Sequence, residues 1–362
     1  MMSSSEQSFS AVFAVSSGQD DNIGDIVLRR RFLDALRPLG PINVLLGENS
    51  PGFVEGLMLG ASDVVYTGLE DWRAALDVAS RRGRVLVADN PGEVDLTPGL
   101  VKQQILLMPN LFGVRRRKGR VVRFGTGIRS PHSGVWGLIY NLAFRTTLMF
   151  HEPVRWRDPI SRDTFGIGSV MPDWGFADIG PERVAMTAND ARNLFVISQR
   201  VDRPLPSAEW IDGVKMFCAA AGLKPYVVTQ VVRDQPRSDW LADALGADQL
   251  PWDGQNPRRH ENNLREIYRQ TALVLSDRLH VLIVAMTEGA PPLCISEHSE
   301  SKIGRHMDAV NYADVSIQVS GLSSVEIAAL CHNNVNRGAE LEAAVKRARK
   351  EIESVDRLLL DL

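Results

Sequence analysis

Short apolar runs rich in β-branched residues alternate with segments of helical periodicity along almost the whole chain. In residues 71–82, for example, apolar side chains recur at helical spacing, and strand-like runs flank this segment at 63–66 and 84–88. Strands separated by helices are typical of βαβ units, in which helices cover both faces of a parallel sheet. The pattern therefore predicts an α/β fold. Further strands are predicted at 11–16, 42–46, 105–108, 121–124, 194–198, 226–232, 272–276 and 293–296.

The alternation is interrupted in the middle of the chain, where residues 145–182 are irregular and rich in Pro, Asp and Gly. Two βα sets with an irregular joint predict two Rossmann-like domains whose parallel sheets face a central cleft. We place the N-terminal domain at 1–150, the joint at 151–185 and the C-terminal domain at 186–335. Residues 336–362 have an amphipathic pattern that predicts a final helix, for which packing back on the N-terminal domain is one open arrangement.

Composition excludes several protein classes. With 362 residues, 44% of them apolar and 23% charged, the chain is ordinary for a globular protein of about two domains. Lys and Arg number 41 against 44 Asp and Glu, so a generally basic nucleic-acid binder is not expected. Three widely separated cysteines argue against a disulfide framework. No His, Cys or carboxylate cluster has metal-ligand spacing, so we expect no metal and no cofactor.

Hydropathy bears on where the protein acts. No apolar stretch is long enough for a secretory signal or a membrane span, which predicts a soluble cytoplasmic protein. The basic run from Arg115 to Lys118 leaves two interpretations open. It is either a solvated turn or a contact for an anionic partner such as a membrane surface, in which case the protein associates peripherally with the cytoplasmic membrane.

The strongest candidate for chemistry is the segment 276–280, Ser-Asp-Arg-Leu-His, which follows the apolar run 272–275. Open α/β sheets bind ligands where a buried parallel strand gives way to a helix. Ser276 or Asp277 can cap that helix, whose N-terminus favours anions. Arg278 offers a planar fork suited to phosphate or carboxylate, and His280 can exchange a proton near neutral pH. The alternative is purely structural: Asp277 caps the helix, Arg278 lies on the surface and His280 is a core histidine.

Two other strand ends carry polar candidates. Ser198 and Arg200 follow the run 194–197. Arg200 and Arg278, together with a helix N-terminus, could hold a small polyanion. The alternative is that Arg200 is an ordinary loop arginine. After the first strand, the turn 18–25 contains neither a Rossmann nor a Walker fingerprint. Its glycines would allow close approach of the backbone to a ligand, and Asp25 is either a helix cap or a carboxylate in the cleft.

These segments together resemble the polysaccharide pyruvyl transferase family over residues 10–310. In the N-terminal turn the resemblance is carried by Gly18, Asn22, Gly24 and Asp25. The other matching positions are Arg157, Asp158 and Ser161, then Ser198 and Arg200, then 276–280 with Ile283, Ala285 and Gly289, and finally Lys302 and Ile303.

The resemblance implies a GT-B-like fold, with phosphoenolpyruvate as donor and a pair of sugar hydroxyls as acceptor. The product would be a pyruvate ketal on a bacterial surface polysaccharide or its lipid-linked precursor, with phosphate released. His280 would act as general acid or stabilise the leaving phosphate, and Asp25 is the candidate base. The implied donor-binding residues are Ser198, Arg200, Ser276, Arg278, Leu279 and Lys302, and those on the acceptor side of the cleft are Gly18, Asn22, Gly24 and Asp173.

Two functions of other classes stay open. A nucleotide-sugar glycosyltransferase on the same fold predicts thermal stabilisation by a nucleotide sugar and none by phosphoenolpyruvate. A non-catalytic glycan- or anion-binding protein predicts ligand binding without turnover. The resemblance favours the pyruvyl transferase over both.

Overall fold

A computed structural model describes residues 9–129, 134–180, 192–297 and 301–362. Within these ranges the chain forms two units. Unit 1 comprises the residues up to Gln19 together with Leu28–Trp174 and Glu351–Leu362, and unit 2 comprises Asp20–Val27 and Gly175–Lys350. The sequence boundaries at 150 and 185 stay predictions, and residues 181–191, where the joint gives way to the C-terminal domain, lie outside the described residues.

Unit 1 is built on a parallel sheet with the strand order β3-β2-β1-β4-β6-β7-β8, and β5 pairs with β6 beside this path. Its described strands are β1 (Ala11–Val15), β2 (Ile42–Leu45), β3 (Val64–Tyr66), β4 (Val85–Ala88), β5 (Gly92–Val94), β6 (Arg120–Ile128), β7 (Val154–Trp156) and β8 (Ser169–Val170). Its described helices are α1 (Ile23–Leu36, which begins in unit 2), α2 (Pro51–Gly56), α3 (Leu69–Arg82), α4 (Pro98–Arg116), α5 (Gly134–Leu148) and α6 (Pro159–Phe165).

One apolar cluster of unit 1 lies between the sheet and the helices α3 and α4. Strand β4 is buried on both faces, as expected for a central parallel strand covered by helices. Trp72 of α3 is fully buried, meets Phe13 of β1 edge to face, and donates its indole N–H to the carbonyl of Asn43 over 3.1 Å. The largest apolar side chains thus pack where the alternating pattern predicts a covered sheet.

One strand prediction is wrong, because residues 105–108 lie inside α4. A run of four apolar residues cannot be assigned by periodicity alone. Thr97 caps this helix by accepting a hydrogen bond from the backbone N–H of Leu100 over 3.2 Å, and proline occupies the first helical position. Leu107 faces the core, whereas Ile105 is exposed, which is the alternation of a helix surface.

Unit 2 is built on a second parallel sheet, with the strand order β11-β10-β9-β12-β13-β14. Its described strands are β9 (Leu194–Ser198), β10 (Lys224–Val228), β11 (Asp248–Leu250), β12 (Thr271–Ser276), β13 (Pro292–Ser296) and β14 (Ser316–Gln318). Its described helices are α7 (Ala208–Ala221), α8 (Gln235–Leu245), α9 (Pro257–Arg269), α10 (Leu279–Thr287), α11 (Ser301–Asp308), α12 (Ser324–Val335) and α13 (Gly338–Leu360). The predicted α/β class is therefore confirmed.

A buried ion-pair network holds the far end of α10 in unit 2. Arg265 of α9 is 1% exposed and donates to Asp178, Glu261 and Glu288 over 2.7, 2.9 and 2.7 Å. Glu288 directly follows the last residue of α10 and caps its C-terminus. A buried arginine with three carboxylate partners is costly to break, because the remaining charges would be left unpaired. The network therefore fixes the C-terminal end of α10 against α9.

The predicted final helix is α13, whose apolar stripe is buried along its length. From Glu351 onward its residues pack with unit 1, where Asp356 pairs with Arg31 of α1. In the described part of the chain, no helix is both long enough and apolar enough to span a membrane.

Candidate functional site

Neighbouring strand ends organise the candidate site in unit 2. Strands β9 and β12 are parallel, and Ser198 is paired with Ser276 at their carboxyl ends. Because the two strands are parallel and these serines are paired, the chain leaves the sheet at the same edge in both places. Both serines are fully buried. Arg200 and Arg278 each follow two residues later, and the backbone N–H of Arg200 donates to the Asp277 carboxylate over 2.9 Å, which joins the two loops that carry them.

Arg278 is held by an aspartate that the sequence does not single out. Its Nε and Nη2 atoms donate to the two carboxylate oxygens of Asp234, each over 2.7 Å. Asp234 is 1% exposed and also accepts from the backbone N–H of Val201 over 3.0 Å. A bidentate guanidinium–carboxylate pair fixes both position and plane. Asp234 follows β10, at the same edge of the sheet, and the strand-end rule could have found it.

The predicted capping of α10 by Ser276 or Asp277 is wrong. Arg278 is the residue before the first turn, and its side chain makes no capping hydrogen bond. The Ser276 hydroxyl instead accepts from the backbone N–H of Arg278 over 3.0 Å, and the Asp277 carboxylate accepts from the backbone N–H of Arg200 over 2.9 Å. Backbone N–H groups at an uncapped N-terminus, with the positive end of the helix dipole, favour an anion.

Arg200 is held in turn by Asp202. Its Nε and Nη2 atoms donate to the Asp202 carboxylate over 2.8 and 2.5 Å. These hydrogen bonds lower the pKa of the Asp202 carboxyl to about 2, against the opposing effect of partial burial, and the positive charge of Arg278 contributes in the same direction.

The N-terminal motif lies against the same edge of unit 2. Asn22 forms an antiparallel bridge with Val231, which follows β10. Arg233 donates to the Asp21 carboxylate over 2.8 and 2.6 Å. The side chain of Asn22 accepts from the backbone N–H of Gly24 over 2.9 Å, so Asn22 and not Asp25 caps α1. Asp25 lies in the first turn of this helix and is half-buried.

Gly24 and His280 bring two helix N-termini into contact. Each is the second residue of its helix, α1 or α10. A Cβ atom built on Gly24 would lie 2.4 Å from the Cβ and 2.7 Å from the Cγ of His280. Only glycine permits this approach. The half-buried imidazole therefore lies between two positive helix ends, beside the arginines, where an anion would be stabilised.

The remaining predicted residues lie elsewhere. In unit 1, the space above Gly18 is filled by the guanidinium of Arg29, 2.8 Å from where a Cβ would be. Asp173 is buried in the same unit and accepts from Arg157 over 3.2 Å. In unit 2, Lys302 lies in the first turn of α11. The structure groups the following predicted residues at one edge of unit 2: Asn22, Gly24, Asp25, Ser198, Arg200, Ser276, Arg278, Leu279 and His280.

A cavity of about 190 Å³ opens at the carboxyl ends of β1, β2 and β4 in unit 1. Its polar groups include Ser17, Asn90 and Gln104, and aliphatic side chains with Phe144 form the rest of the wall. The mixture of an apolar wall and a few polar groups is typical of small-molecule sites. The lining residues are Val15, Ser17, Leu45, Gly47, Thr67, Leu69, Asp89, Asn90, Val94, Leu100, Gln103, Gln104, Leu107, Arg123 and Phe144.

A charged cluster that the sequence reading missed lies at this cavity. Asp89 pairs with Arg123 and with the Nε2 atom of His151, the latter over 2.7 Å, and all three residues are buried. Burial raises the pKa of the Asp89 carboxyl, but the charge of Arg123 and the contact with His151 outweigh burial and lower the pKa to about 2. The Nε atom of Arg123 is buried without a hydrogen-bond partner in the described part of the chain. The signals were a strand-end aspartate and a lone arginine within an apolar strand.

The described residues contain no group of three or more His, Cys, Asp or Glu side chains that could hold a metal ion. The absence of a metal and of a cofactor from the reaction stays a prediction.

A model of the polysaccharide pyruvyl transferase family matches residues 22–299. The chain belongs to this family. The protein is therefore a transferase. The matched range begins at Asn22 and contains all the predicted residues that the structure groups at one edge of unit 2, whereas Lys302 lies beyond it. A comparison with curated protein sequences found no significant match.

Solved structures show the fold. UDP-GlcNAc 2-epimerase from Methanocaldococcus jannaschii is similar with a TM-score of 0.59 and 12% identity, over 96% of this chain and 99% of that one. Anabaena Alr3699/HepE in complex with UDP and glucose gives 0.56 and 13%, over 97% and 98%. Phytolacca americana UGT2 gives 0.54 and 10%, over 97% and 99%. The fold is thus GT-B-like, with two Rossmann-like units, as predicted.

Replacing Gly24 tests the contact between the two helix N-termini. In Gly24→Ala the new methyl group overlaps the stem of His280, so the helices must separate. We expect a loss of about 1–3 kcal/mol in the free energy of unfolding, as for overpacking elsewhere, and a large loss of transferase activity. Gly338→Ala is the control, because a Cβ at Gly338 meets no atom within 4 Å. Equal activity in both variants would contradict the role of this contact.

The buried Asp89 carboxylate makes a pH-dependent contribution to stability. Its folded-state pKa of about 2 lies below the ordinary 3.8, so its stabilisation is present above pH 3.8 and is lost as the pH falls toward 2. In urea unfolding, we expect the wild type to lose about 2 kcal/mol more than Asp89→Asn over this interval. Asp77→Asn removes an exposed carboxylate of α3 and should follow the wild type. Parallel pH profiles for wild type and Asp89→Asn would contradict the assignment.

Proposed function

We propose that this transferase moves the pyruvyl group of phosphoenolpyruvate to two hydroxyls of a saccharide, forming a pyruvate ketal and releasing phosphate. The observation that carries the proposal is the group of cationic and dipolar donors at one edge of unit 2. Arg200 and Arg278 lie beside the uncapped N-terminus of α10, and His280 lies against the N-terminus of α1.

The charges of phosphoenolpyruvate fit this group. The molecule carries a carboxylate and a phosphate on one small frame, so it needs several donors that converge on a short distance. Asp234 occupies Nε and Nη2 of Arg278, and the guanidinium retains further N–H groups for a ligand. Asp202 holds Arg200 in the same way. We infer that Asp234 and Asp202 orient the two guanidinium groups, while the helix N-termini bind one of the anionic groups of phosphoenolpyruvate.

The reaction balances with one proton donor and one proton acceptor. A proton added to the methylene carbon of phosphoenolpyruvate makes C2 oxocarbenium-like. One sugar hydroxyl adds to C2 and loses its proton, the C2–O bond to phosphate breaks, and the second hydroxyl adds and loses its proton. Of the two protons released, one replaces the proton given to the methylene and the other leaves with phosphate. His280 is the proposed acid, or stabilises the leaving phosphate, and Asp25 is the proposed base.

The family implies a saccharide acceptor, and we propose that the cavity of unit 1 binds it. At about 190 Å³ the cavity is smaller than the roughly 300–1,000 Å³ of drug-sized sites, so we propose that it takes a small group such as a single sugar ring. Side-chain amides and hydroxyls at its wall can pair with sugar hydroxyls, and Phe144 with its aliphatic neighbours can contact the ring face. We further propose that the acceptor is lipid-linked. Neither a metal nor an organic cofactor enters the proposed steps.

The direct test is incubation with phosphoenolpyruvate and lipid-linked saccharides, with phosphate release and product mass as the two readouts. We expect phosphate only when an acceptor is present, and a product that carries one pyruvate ketal. His280→Gln should slow the reaction by about 10²- to 10⁴-fold, the usual contribution of general acid–base catalysis. Arg278→Lys keeps a positive charge beside Asp234 but removes the planar guanidinium group with its paired N–H donors. This variant should raise the KM for phosphoenolpyruvate.

Arg258→Lys is the matched control, because Arg258 is an exposed arginine on α9 of the same unit. Thermal unfolding shows whether each variant is folded. Full activity of both His280→Gln and Arg278→Lys would contradict the site. Turnover of a UDP-sugar, without phosphate from phosphoenolpyruvate, would contradict the reaction.

A further inference from the structure

Helix α5 exposes most of its apolar side chains. Val135, Trp136, Leu138 and Leu142 are 75%, 70%, 69% and 61% exposed. Isolated apolar residues on a surface need no explanation, but a contiguous patch of this size indicates an interaction site. The Trp136 ring stacks on Tyr140, with 6.4 Å between the centroids. Both rings are amphipathic and suit a boundary between water and an apolar phase.

Helix α4 packs beside α5 and extends the patch. Ile105, Leu106 and Phe112 are each more than two-fifths exposed on α4, and Met149 is exposed just beyond α5. We call the exposed residues of these two helices the α4–α5 surface. Both helices follow parallel strands of one sheet, so they run in the same direction. Arg115, at the end of α4, pairs with Glu152 over 2.9 Å, which brings the C-terminal ends of the two helices together.

The stretch of chain that forms these two helices carries basic side chains and no acidic ones, although Arg115, Arg123 and Arg129 are paired with carboxylates outside it. Between Asp95 and Glu152 the sequence contains nine Lys or Arg residues and no Asp or Glu. Arg116, Lys118 and Arg145 of this stretch are exposed near the C-terminal ends of the two helices. An apolar patch with a basic border is complementary to a membrane that carries anionic headgroups. A second copy of the same surface would bring like charges together, which disfavours a dimer through this face.

The length of α5 excludes a membrane-spanning arrangement for this helix. Its 15 residues rise about 22 Å at 1.5 Å per residue, against about 30 Å for the hydrocarbon core of a bilayer. A short helix of this kind lies in the plane of the interface, with its apolar side chains inserted below the headgroups and basic side chains at their level.

We propose that the α4–α5 surface binds an anionic phospholipid membrane. Trp136, Leu138 and Leu142 insert below the headgroups, and the basic side chains Arg116, Lys118 and Arg145 pair with lipid phosphates. The two contributions act together, since neither a weak apolar anchor nor a basic patch alone gives stable attachment.

The same two helices line the cavity of unit 1 on their inner side. Gln103, Gln104 and Leu107 of α4 and Phe144 of α5 form part of its wall. A membrane bound on the outer side would therefore place a lipid-linked saccharide close to the cavity. This consequence rests on the proposed function, whereas the membrane binding itself does not.

Vesicle flotation tests the proposal with the full chain. We expect binding to vesicles of phosphatidylcholine mixed with phosphatidylglycerol, little binding to phosphatidylcholine alone, and a decrease when salt is raised. The double variant Arg116→Gln/Lys118→Gln should bind about 30-fold more weakly, which corresponds to about 1 kcal/mol per basic residue near an anionic surface. Trp136→Ser/Leu138→Ser should bind at least about tenfold more weakly. All four side chains are exposed, so the variants should fold.

Matched controls come from unit 2. Arg258→Gln/Arg259→Gln removes two exposed charges of α9, and Val325→Ser removes an apolar side chain of α12 that is 64% exposed. Both should bind vesicles as the wild type does. Equal binding by wild type and both α4–α5 variants, or no binding to either vesicle, would overturn the proposal. So would a dimer in solution that Trp136→Ser/Leu138→Ser dissolves.

Activity separates this proposal from the proposed function. If both hold, the α4–α5 variants lose activity on a lipid-linked acceptor in vesicles and keep it on a short water-soluble acceptor. Membrane binding without pyruvyl transfer to any acceptor would leave the surface assignment intact and contradict the reaction. Pyruvyl transfer by a protein that binds no vesicles would support the reaction and contradict the surface assignment.

Discussion

The site in unit 2 depends on the absence of a side chain at Gly24. Because this residue has no Cβ, α1 can begin directly against His280, the second residue of α10. The bridge between Asn22 and Val231, and the ion pair of Asp21 with Arg233, hold the N-terminal motif in this position. Two helix N-termini that meet in this way concentrate backbone donors and positive dipole ends on one small volume. The ligand class that we propose follows from this arrangement.

Paired carboxylates then give the arginines a defined direction. Asp234 is buried and holds Arg278 by both oxygens, and Asp202 holds Arg200. An arginine that is already oriented loses less conformational entropy when it binds a phosphate or carboxylate. The net charge of −3 gives no sign of these pairs, because the charges of the two arginines and their aspartates cancel in the sum. The same total also hides the basic stretch between residues 95 and 152, which is the basis for the proposed membrane contact.

Sequence reasoning reached the strand ends but not their long-range partners. Ser198 and Ser276 were recognisable from the sequence as the ends of two strands, but their pairing depends on β9 lying beside β12 in the sheet, which the alternation of strands and helices alone does not determine. The pairing of Arg278 with Asp234 joins residues 44 positions apart and depends on the order of strands in the sheet. The cluster of Asp89 with Arg123 and His151 was missed for the same reason. Residues 105–108 were assigned wrongly because four apolar residues fit a strand and a buried helix face equally well.

A crystal structure of the protein soaked with phosphoenolpyruvate, or with an unreactive analogue that retains both anionic groups, tests the central claim most directly. We expect the ligand at the N-termini of α1 and α10, with a guanidinium N–H of Arg278 and the imidazole of His280 within hydrogen-bond distance and the Asp234 pair intact. Density for the ligand away from this edge of unit 2, or a bound ligand that Arg278 and His280 do not contact, would contradict it.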